Sequence, residues 1–512
     1  MSTHDLDLER FRLRRLVAQL TELGEVEAHD EPVALADLSS IIEASDKAVL
    51  FRKAGPEQLE LVAGVMGSRR RLAIALGVEE KDSLREYEHR LANPQAHFEV
   101  PSSDAPVHEV VLTGDEIDLT KLPFHLQHDL DGGPYISSAI DFSVDPATGR
   151  HNVGCRRMML RGRKHLTTNL TAPSDLKLTY RACVERGERL PISFAIGSHP
   201  TSYLAATSRR PGDEFDLVAT LRGAPLAMVR GVTNGVPAPA DAEMIVEGYL
   251  DEFGYTELDG PYGEFWGFYG TAHIDPVFHV TAIAMRRDVL HQSVLHGGRN
   301  MARMEATPVG ALHAEFAVRA ALRAVRIEPA AVHAVDGVTT AQHVRVAIDS
   351  AAAPGQARAV ISALFALPGM KHVVVVDSDI DVRNDAEVEW ALSTRFRADR
   401  DLVVAEGFPG FYSDPTISES GTVSKVGLDA TAGLPGDSME NWRPTPPRVS
   451  RERRAASVRE ALQDGPLYFR EILDALGSDD GREIVLELDE LCGEGVLTRG
   501  PNWQWQLTKT EG

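Results

Sequence analysis

The sequence predicts an α+β protein in which a β-rich central domain lies between two α/β lobes and a small appendix ends the chain. At about 150 residues per domain, its 512 residues correspond to three or four domains. From residue 107 onward, many short β-type runs are separated by Gly, Pro and Asp, a texture typical of a barrel or sandwich. On both sides of this part, helical periodicity alternates with short apolar runs.

The N-terminal lobe, assigned to residues 1–106, begins with a predicted helix. Leucines and valines recur at helical spacing over 6–23, and Gly24 ends the pattern. The apolar runs at 48–51 and 72–76 predict two short buried strands. This lobe is therefore expected to mix helices and strands.

The central domain and the C-terminal lobe are assigned to residues 107–310 and 311–442. In the C-terminal lobe a helix is predicted over 311–325, and the apolar run 373–376, which ends in aspartates, is typical of a buried α/β strand. The strands predicted in the central domain include 135–144, 153–160, 192–196, 227–232 and 277–284.

A proline-rich linker at 443–448 precedes the appendix, residues 455–512, which resembles a small winged helix-turn-helix. Such modules often bind DNA, but this segment has twelve acidic residues against five basic ones, which argues against it. We expect a role in assembly or as a lid. The pattern predicts helices over 457–462, 469–476 and 484–491 and a wing over 496–507.

Composition excludes several classes of partner. The formal charge of −23 repels phosphate backbones, so we expect no nucleic-acid partner. No run of about 18 apolar residues predicts a membrane-spanning helix, so we expect no membrane partner either. Cys155, Cys183 and Cys492 form no CxxC pair, and the charged N-terminus lacks an apolar segment. These features are typical of a cytoplasmic protein.

Four segments contain the residues best suited to chemistry. The first segment consists of DPATG at 145–149 followed by NVGCRR at 152–157. The second is Glu214, which lies eight residues before an Arg-Gly pair. The others are DGPYGE at 259–264 and SKVGLDAT at 424–431. Each segment alone is a weak signal.

Arg157, Asp259 and Glu264 form the most reactive combination in these segments. Arg157 falls in a predicted buried strand, so its charge needs partners. Asp259 and Glu264 flank a Gly-Pro-Tyr-Gly turn, which can aim side chains closely. An arginine between two acids can hold one carboxylate ionised and orient the other for proton transfer. From the residues alone, a buried structural ion-pair network is the favoured interpretation.

Taken in this order and spacing, the four segments resemble the UbiD family of prenylated-FMN-dependent decarboxylases, and the resemblance extends roughly over 6–443. It implies that the central domain is a split β-barrel that binds flavin, as in flavin reductases. It also implies reversible non-oxidative decarboxylation of an aromatic, heteroaromatic or α,β-unsaturated carboxylic acid. A flavin prenyltransferase would supply the cofactor, and the C-terminal lobe would build a homodimer or a higher homo-oligomer.

The resemblance also implies roles for individual residues. Arg157 would contact the substrate carboxylate, and Glu264 would return a proton to the carbon that loses carbon dioxide. Asp259 stands where the family usually has glutamate, so either the site is tighter or a water intervenes. Lys425 would reach the cofactor phosphate, unless it is a solvated loop lysine. The residues implied in cofactor binding are Asn152, Val153, Gly154, Cys155, Arg156 and Lys425.

In the family a Mn²⁺ or Mg²⁺ ion bridges the cofactor phosphate to Asn, His and Glu ligands, with K⁺ nearby. Oxygen ligands suit such hard cations. Asn152 and Glu214 match two of the ligand positions, but no histidine matches the third, since a proline lies near the expected place. A water could replace it, or one of the candidates His165, Asn169 and Asp175.

Alternatives remain open at this point. The chain could be an ordinary FMN-dependent oxidoreductase or a non-catalytic ligand-binding regulator. Cys155 could be a nucleophile, but no histidine adjoins it, so we expect a small pocket-lining residue. His291 and His296 could line the pocket or be structural. For the substrate we favour a bicyclic or tricyclic aromatic acid, because Cys155 and residues 267–270 include small side chains.

Overall fold

The computed structural model describes residues 7–337, 342–349, 352–411, 413–432, 443–500 and 502–508. They divide into two compact units. One contains the described residues up to 349 and from 355 to 430, and the other contains those from 352 to 354 and from 431 onward. None of the helices in these ranges is long and apolar enough to cross a bilayer. The domain boundaries at 106 and 310 stay predictions, and the boundary at 442 lies outside the described residues.

The N-terminal lobe is a small mixed sheet with helices against it. The sheet has the strand order β1-β2-β3-β16. Its last strand, β16, comes from much later in the sequence, after the strands of the central domain. Helix α1 packs on this sheet through its apolar face. The elements are α1 Leu13–Glu22, β1 Val26–His29, α2 Leu38–Ala44, β2 Ala48–Ala54, β3 Leu59–Ala63, α3 Arg69–Leu76, α4 Ser83–Ala92, β4 His97–Glu99 and, later in the chain, β16 His291–Gln292.

One predicted strand in this lobe is wrong. Residues 72–76 lie in helix α3, not in a strand. Ser68 caps this helix by accepting from the backbone N–H of Arg71, and Gly77 ends it in the left-handed conformation. A short apolar run cannot by itself distinguish a buried helix from a strand, and the two caps decide the outcome.

The central domain is a closed six-stranded barrel. Its strands follow the order β12-β9-β6-β7-β8-β15, β12 pairs with β15 to close it, and β5 extends the sheet beyond β15. This confirms the predicted barrel. The elements are β5 Val110–Thr113, β6 Tyr135–Val144, β7 His151–Leu160, β8 His165–Thr168, α5 Asp175–Arg186, β9 Leu190–Ile196, α6 Pro200–Ala206, α7 Glu214–Arg222, β10 Leu226–Arg230, β11 Pro237–Pro239, β12 Met244–Asp259, β13 Tyr262–Gly263, β14 Tyr269–Gly270 and β15 His273–Met285.

Side chains alternate between the barrel interior and its outer surface. Phe194 and Met158 belong to a core cluster to which all six barrel strands contribute, which is the interior. Ala195 and Val153 belong to a second cluster, which also includes residues of α6 and α7. This period of two gives every barrel strand two chemically distinct faces.

The C-terminal lobe is a five-stranded sheet of order β17-β18-β19-β21-β20, with parallel pairing at its centre. Its central strand β19 contains the predicted apolar run and is buried except at its first residue. The elements are α8 Ala306–Ala324, β17 Ala331–Ala334, β18 His343–Ile348, α9 Gln356–Phe365, β19 His372–Asp377, α10 Asp385–Thr394, β20 Leu402–Pro409 and β21 Thr422–Ala430.

The second unit has the predicted winged-helix arrangement. Three helices surround a small apolar core, and a two-stranded hairpin forms the wing, to which Leu467 adds an antiparallel bridge. The elements are α11 Val458–Ala461, α12 Phe469–Leu476, α13 Arg482–Gly493, β22 Leu497–Arg499 and β23 Trp505–Leu507.

Candidate functional site

Strand β7 positions two groups of polar side chains on opposite sides of the barrel wall. Arg156 lies beside Asp141 of β6, which pairs with the interior residue Phe194 and so points into the barrel. The next residue, Arg157, points to the other face and meets Asp259 at the end of β12. Consecutive arginines on one strand thus belong to different sites.

The outer group places Arg157 between two carboxylates. Its Nη1 donates to Oδ1 of Asp259, and its Nη2 lies 3.1 Å from Oε1 of Glu264. Asp259 is completely buried, whereas the Glu264 side chain is 24% exposed. Two further donors reach Asp259, from the hydroxyls of Tyr135 and Thr167. Asp259 is therefore buried and held by three donors, while Glu264 contacts the same arginine and is partly exposed.

Aromatic rings fix the guanidinium of Arg157 in place. It lies 4.5 Å from the ring centre of Tyr262 and 5.4 Å from that of Tyr135, and these two rings adjoin each other, so both contribute cation–π contacts. The Tyr262 hydroxyl donates to Gln127, whose amide donates to Ser137. The arginine therefore has little freedom to leave the two carboxylates.

The electrostatics of this group favour a permanently charged arginine. Burial opposes the charge, but the nearby carboxylates of Glu264 and Asp259 raise the pKa of Arg157 above its ordinary value. Burial, followed by the charge of Asp259, raises the pKa of Tyr135, so its hydroxyl stays a donor. The shorter aspartate contacts Arg157 directly, so the structure has the tighter of the two arrangements expected from the sequence.

The inner group is centred on Asp141, which is fully buried. Asn152 Nδ2 donates to its Oδ2 at 2.7 Å, and Arg156 Nε lies 3.2 Å from its Oδ1. Burial raises the pKa of Asp141 to about 6, despite the opposing charge of Arg156, and the carboxylate of Glu214 adds to the rise. This side of β7 is thus rich in negative charge.

Glu214 begins helix α7 and contacts the backbone of β7. Its Oε2 accepts from the backbone N–H of Val153 at 2.6 Å. Burial and the neighbouring acids Asp175 and Asp213 raise the pKa of Glu214. A carboxylate in such surroundings is a good candidate ligand for a cation, since a cation would relieve the repulsion.

Comparison with known proteins matches this arrangement to one family. Models of the UbiD 3-octaprenyl-4-hydroxybenzoate carboxy-lyase match the chain in three consecutive parts: the N-terminal domain over 17–91, the Rift-related domain over 98–299 and the C-terminal domain over 309–430. The chain belongs to the UbiD family. It is a carboxy-lyase, so the oxidoreductase and regulator alternatives are not supported.

Individual relatives agree with this assignment. An anhydromevalonate phosphate decarboxylase of Methanosarcina mazei is 30% identical over 436 residues, 82% of this chain and 96% of the relative. The UbiD-class enzyme HmfF from Pelotomaculum thermopropionicum, solved in complex with FMN, has 31% identity and a TM-score of 0.78 over 85% of this chain and 97% of HmfF. A vanillic acid decarboxylase from Sedimentibacter hydroxybenzoicus, in closed form, has 26% identity and a TM-score of 0.72 over 86% of this chain and 97% of that chain.

The three candidates for the missing metal-binding histidine of the UbiD family have different surroundings. The ring of His165 packs against that of His279, at 5.0 Å. The Asn169 amide lies 2.9 Å from Nε2 of His273. Asp175 pairs with Arg150, and its charge acts on Glu214. Of the three, Asp175 is the one whose charge reaches the Asn152–Glu214 region, and the ligand role of each stays a prediction.

Lys425 is buried in the C-terminal lobe. Its Nζ donates to the backbone carbonyls of Phe365 and Leu367, at 2.8 and 2.7 Å. It is therefore not a solvated loop lysine in this structure. Its contact with a UbiD cofactor phosphate stays a prediction, and it requires Nζ to exchange these carbonyls for the phosphate.

Cys155 and the two histidines have the properties of unreactive buried residues, and a pocket-lining role for any of them stays a prediction. Burial, followed by the charge of Asp141, raises the pKa of Cys155 to about 12, so the thiol stays protonated and is a poor nucleophile. Burial lowers the pKa of His291 and of His296 to about 4. Both rings are hydrogen-bonded to backbone carbonyls, those of Glu60 and Ser137.

Sequence reasoning missed several polar residues of these two groups. Asp141 lies in an otherwise apolar part of a predicted strand, and a lone acid there is a signal that a buried partner exists. Tyr135 and Thr167 contact Asp259 from other strands. Nothing in their local sequence distinguishes them, because only the closure of the barrel brings them to Asp259.

Proposed function

We propose that the chain decarboxylates an aromatic, heteroaromatic or α,β-unsaturated carboxylic acid with prenylated FMN, at the outer face of β7. The observation that carries this proposal is the position of Arg157, held between the buried Asp259 and the partly exposed Glu264. The complexes of HmfF with FMN and with prenylated FMN support a flavin of this kind.

The residues present suit a cofactor phosphate bridged by a divalent cation. The Asn152 amide nitrogen is engaged with Asp141, which leaves Oδ1 as a neutral oxygen ligand. Glu214 uses one oxygen for the backbone of Val153, which leaves Oε1. An amide oxygen and a carboxylate would suit Mn²⁺ or Mg²⁺, and K⁺ is proposed as a further cation of the site. We propose Asn152 and Glu214 as ligands and residues 152–156 as the cofactor-binding segment.

When bound, the prenylated ring supplies the electron sink for the substrate carbon that loses its carboxylate. Arg157 orients the substrate carboxylate through its planar fork, and Asp259 keeps that arginine in place. The carbon–carboxylate bond breaks to release carbon dioxide, and the carbon then takes a proton from the Glu264 carboxyl group. Glu264 recovers its proton from solvent, to which it is partly exposed.

The C-terminal lobe offers a surface for the proposed homodimer. Strand β20 is an edge strand, and it exposes the apolar residues Leu402 and Val404, at 38% and 60%. Apolar edge strands of this kind promote pairing with a second chain.

Light scattering after gel filtration should show a dimer or a larger assembly for the wild-type protein, and Val404→Lys should shift this equilibrium towards monomer. A monomeric wild-type protein would contradict this part of the proposal.

The central experiment concerns the cofactor. Protein expressed without a flavin prenyltransferase should be inactive or nearly so, and reconstitution with prenylated FMN should restore turnover. The substrate panel should contain bicyclic, monocyclic and acrylic acids and anhydromevalonate phosphate, the compound in the name of the Methanosarcina relative. Full activity in a host without prenyltransferase would exclude the proposed cofactor.

A further inference from the structure

A histidine–aspartate pair lies beside the turn that carries Glu264. His128 and Asp131 belong to the segment that leads into β6, and the Asp131 side chain has no exposed surface. The backbone N–H of His128 donates to Oδ2 of Asp131 at 3.0 Å, and its ring Nδ1 lies 3.1 Å from the same oxygen. Neither residue has a role in the reaction proposed for Arg157, Asp259 and Glu264.

Asp131 binds the backbone of this turn directly. Its Oδ1 accepts the backbone N–H of Gly263, the residue before Glu264, at 2.8 Å. The next residue of the same segment, Gly132, donates its N–H to the carbonyl oxygen of Pro261, also at 2.8 Å. The segment and the turn are therefore joined by hydrogen bonds at two points.

The ring of His128 connects the turn to a further stretch of backbone. Its Nε2 lies 3.1 Å from the carbonyl oxygen of Gly297 and 3.3 Å from the nitrogen of that residue. A Cβ at Gly297 would lie 3.2 Å from the carbonyl oxygens of Gly263 and Glu264, and a Cβ at Gly263 would overlap the ring of His128. The turn is thus packed against both segments without room for another side chain at these two glycines.

The proposed role of Glu264 depends on where its backbone lies. Among the residues that the structure describes, its carboxylate forms an ion pair with Arg157 alone, and its side chain is 24% exposed. A side chain with so few contacts can rotate, so its backbone decides which positions the carboxyl group can reach. Proton transfer needs donor and acceptor within hydrogen-bonding distance, and a displacement of about 1 Å can lower the rate about a hundredfold.

We propose that Asp131 is a positioning residue that acts through Glu264, with His128 as its support. Asp131 holds the backbone one residue before Glu264, so the carboxyl group of Glu264 stays within reach of the carbon that it protonates. A carboxylate suits this role because its two oxygens accept two backbone N–H groups at once, and a buried N–H without an acceptor is costly. This inference rests on the proposed function, because it assigns the proton to Glu264.

The first test is a kinetic comparison in the reconstituted holoenzyme. Asp131→Asn keeps the size of the side chain, but its amide nitrogen faces one of the two N–H groups and weakens the attachment of the turn. The variant should lower kcat by about tenfold to a hundredfold, with KM changed less than about threefold, because proton transfer is impaired and binding is retained. The flavin-to-protein ratio should equal that of wild type.

A double-mutant cycle separates positioning from a general structural role. A residue that acts through Glu264 has little effect once that acid is gone. In the Glu264→Gln background, Asp131→Asn should therefore lower the residual single-turnover rate by less than about threefold. An equal fold loss in both backgrounds would show that Asp131 acts independently of Glu264 and would overturn the inference.

The chain offers a matched control on β12. Asp251 is also a buried aspartate that accepts a backbone N–H, that of Phe253, at 3.1 Å, and contacts a histidine, His279, at 2.8 Å. Asp251→Asn removes the same kind of carboxylate from a different part of the barrel. Its kcat should stay within about twofold of wild type. A loss equal to that of Asp131→Asn would contradict the proposal.

His128→Gln provides a second, milder variant. The Asp131 carboxylate and its hydrogen bond to Gly263 remain, while the contact of the ring with Gly297 is lost. The value of kcat should fall by about threefold to tenfold, again with little change in KM. Wild-type kcat in both His128→Gln and Asp131→Asn would overturn the inference.

A further readout does not depend on activity. In cofactor-free protein, hydrogen–deuterium exchange followed by mass spectrometry should show about tenfold faster exchange over 262–268 in Asp131→Asn, and no change there in Asp251→Asn. Unchanged exchange over 262–268 in Asp131→Asn would overturn the inference. A wild-type holoenzyme that decarboxylates nothing, with this exchange result as expected, would instead overturn the proposed function.

Discussion

The two faces of β7 carry neighbouring arginines, each paired with a buried aspartate, yet the two pairs differ in what surrounds them. Inside the barrel, Asp141 has Arg156, Asn152 and the charge of Glu214, and burial raises its pKa to about 6. Outside, Asp259 receives three donors and leaves Glu264 partly exposed beside the same arginine. The inner group is suited to binding a cation, and the outer group is suited to proton transfer. The two groups nevertheless share strand β7 and the same types of residue.

The largest effect should come from Glu264→Gln. The amide keeps the size of the side chain but cannot release a proton at neutral pH, so turnover should fall by about two to four orders of magnitude. Cofactor and substrate should still bind, and exchange of the product hydrogen with solvent deuterium should stop. Near-normal turnover and exchange would mean that the proton comes from elsewhere, with Asp259 the first candidate.

The two arginines provide a direct test of the difference between the faces. Arg157→Lys should lower turnover per bound cofactor by about two to three orders of magnitude, because a point charge cannot replace a planar fork between two carboxylates. Arg156→Lys should change turnover per bound cofactor by less than about threefold, because Arg156 points away from the proposed reaction site. Equal losses in both variants would remove the distinction between the two faces.

Asp259→Asn should have an intermediate effect. The asparagine can still accept from Arg157 through its single oxygen, but its amide nitrogen cannot accept from Thr167, and the side chain no longer balances the arginine charge. Turnover should therefore fall by about one to two orders of magnitude, less than in Glu264→Gln. Steady-state kinetics and deuterium exchange on the same substrate provide the comparison. A more severe loss than in Glu264→Gln would reverse the roles of the two acids.

Substitution of the two proposed cation ligands should have the smallest effect on turnover per bound cofactor and the largest effect on cofactor content. Asn152→Ala and Glu214→Ala should lose cofactor, because a phosphate without its bridging cation faces an acidic protein. The flavin-to-protein ratio after gel filtration measures this, and turnover per remaining cofactor should change less than about threefold. Treatment of wild type with EDTA should lower the ratio in the same way. Normal occupancy in both variants would show that the cation site lies elsewhere.

Local sequence was a good guide where an element has clear ends or a clear period. Four of the six barrel strands (β6, β7, β9 and β15), helix α1 and the winged-helix appendix follow from short β-type runs, helical spacing and glycine stops, whereas β8 and β12 were not predicted and the predicted strand 227–232 lies outside the barrel. The strand predicted at 72–76 was wrong because five apolar residues fit either a helix or a strand. The caps at Ser68 and Gly77 make this segment part of a helix. The order of four short motifs identified the family, which the barrel and the relatives confirm.

The sequence by itself determined that Arg157, Asp259 and Glu264 belong to one site, because their motifs occur together in this order. Tertiary structure decided what each of them contacts. Barrel closure brings Tyr135, Thr167 and His273 to Asp259 from strands distant in sequence, and no local pattern encodes that meeting. Local sequence sets backbone preference and the side of a strand on which a residue lies. The charge balance of a buried site depends on long-range contacts and exists only after the chain has closed.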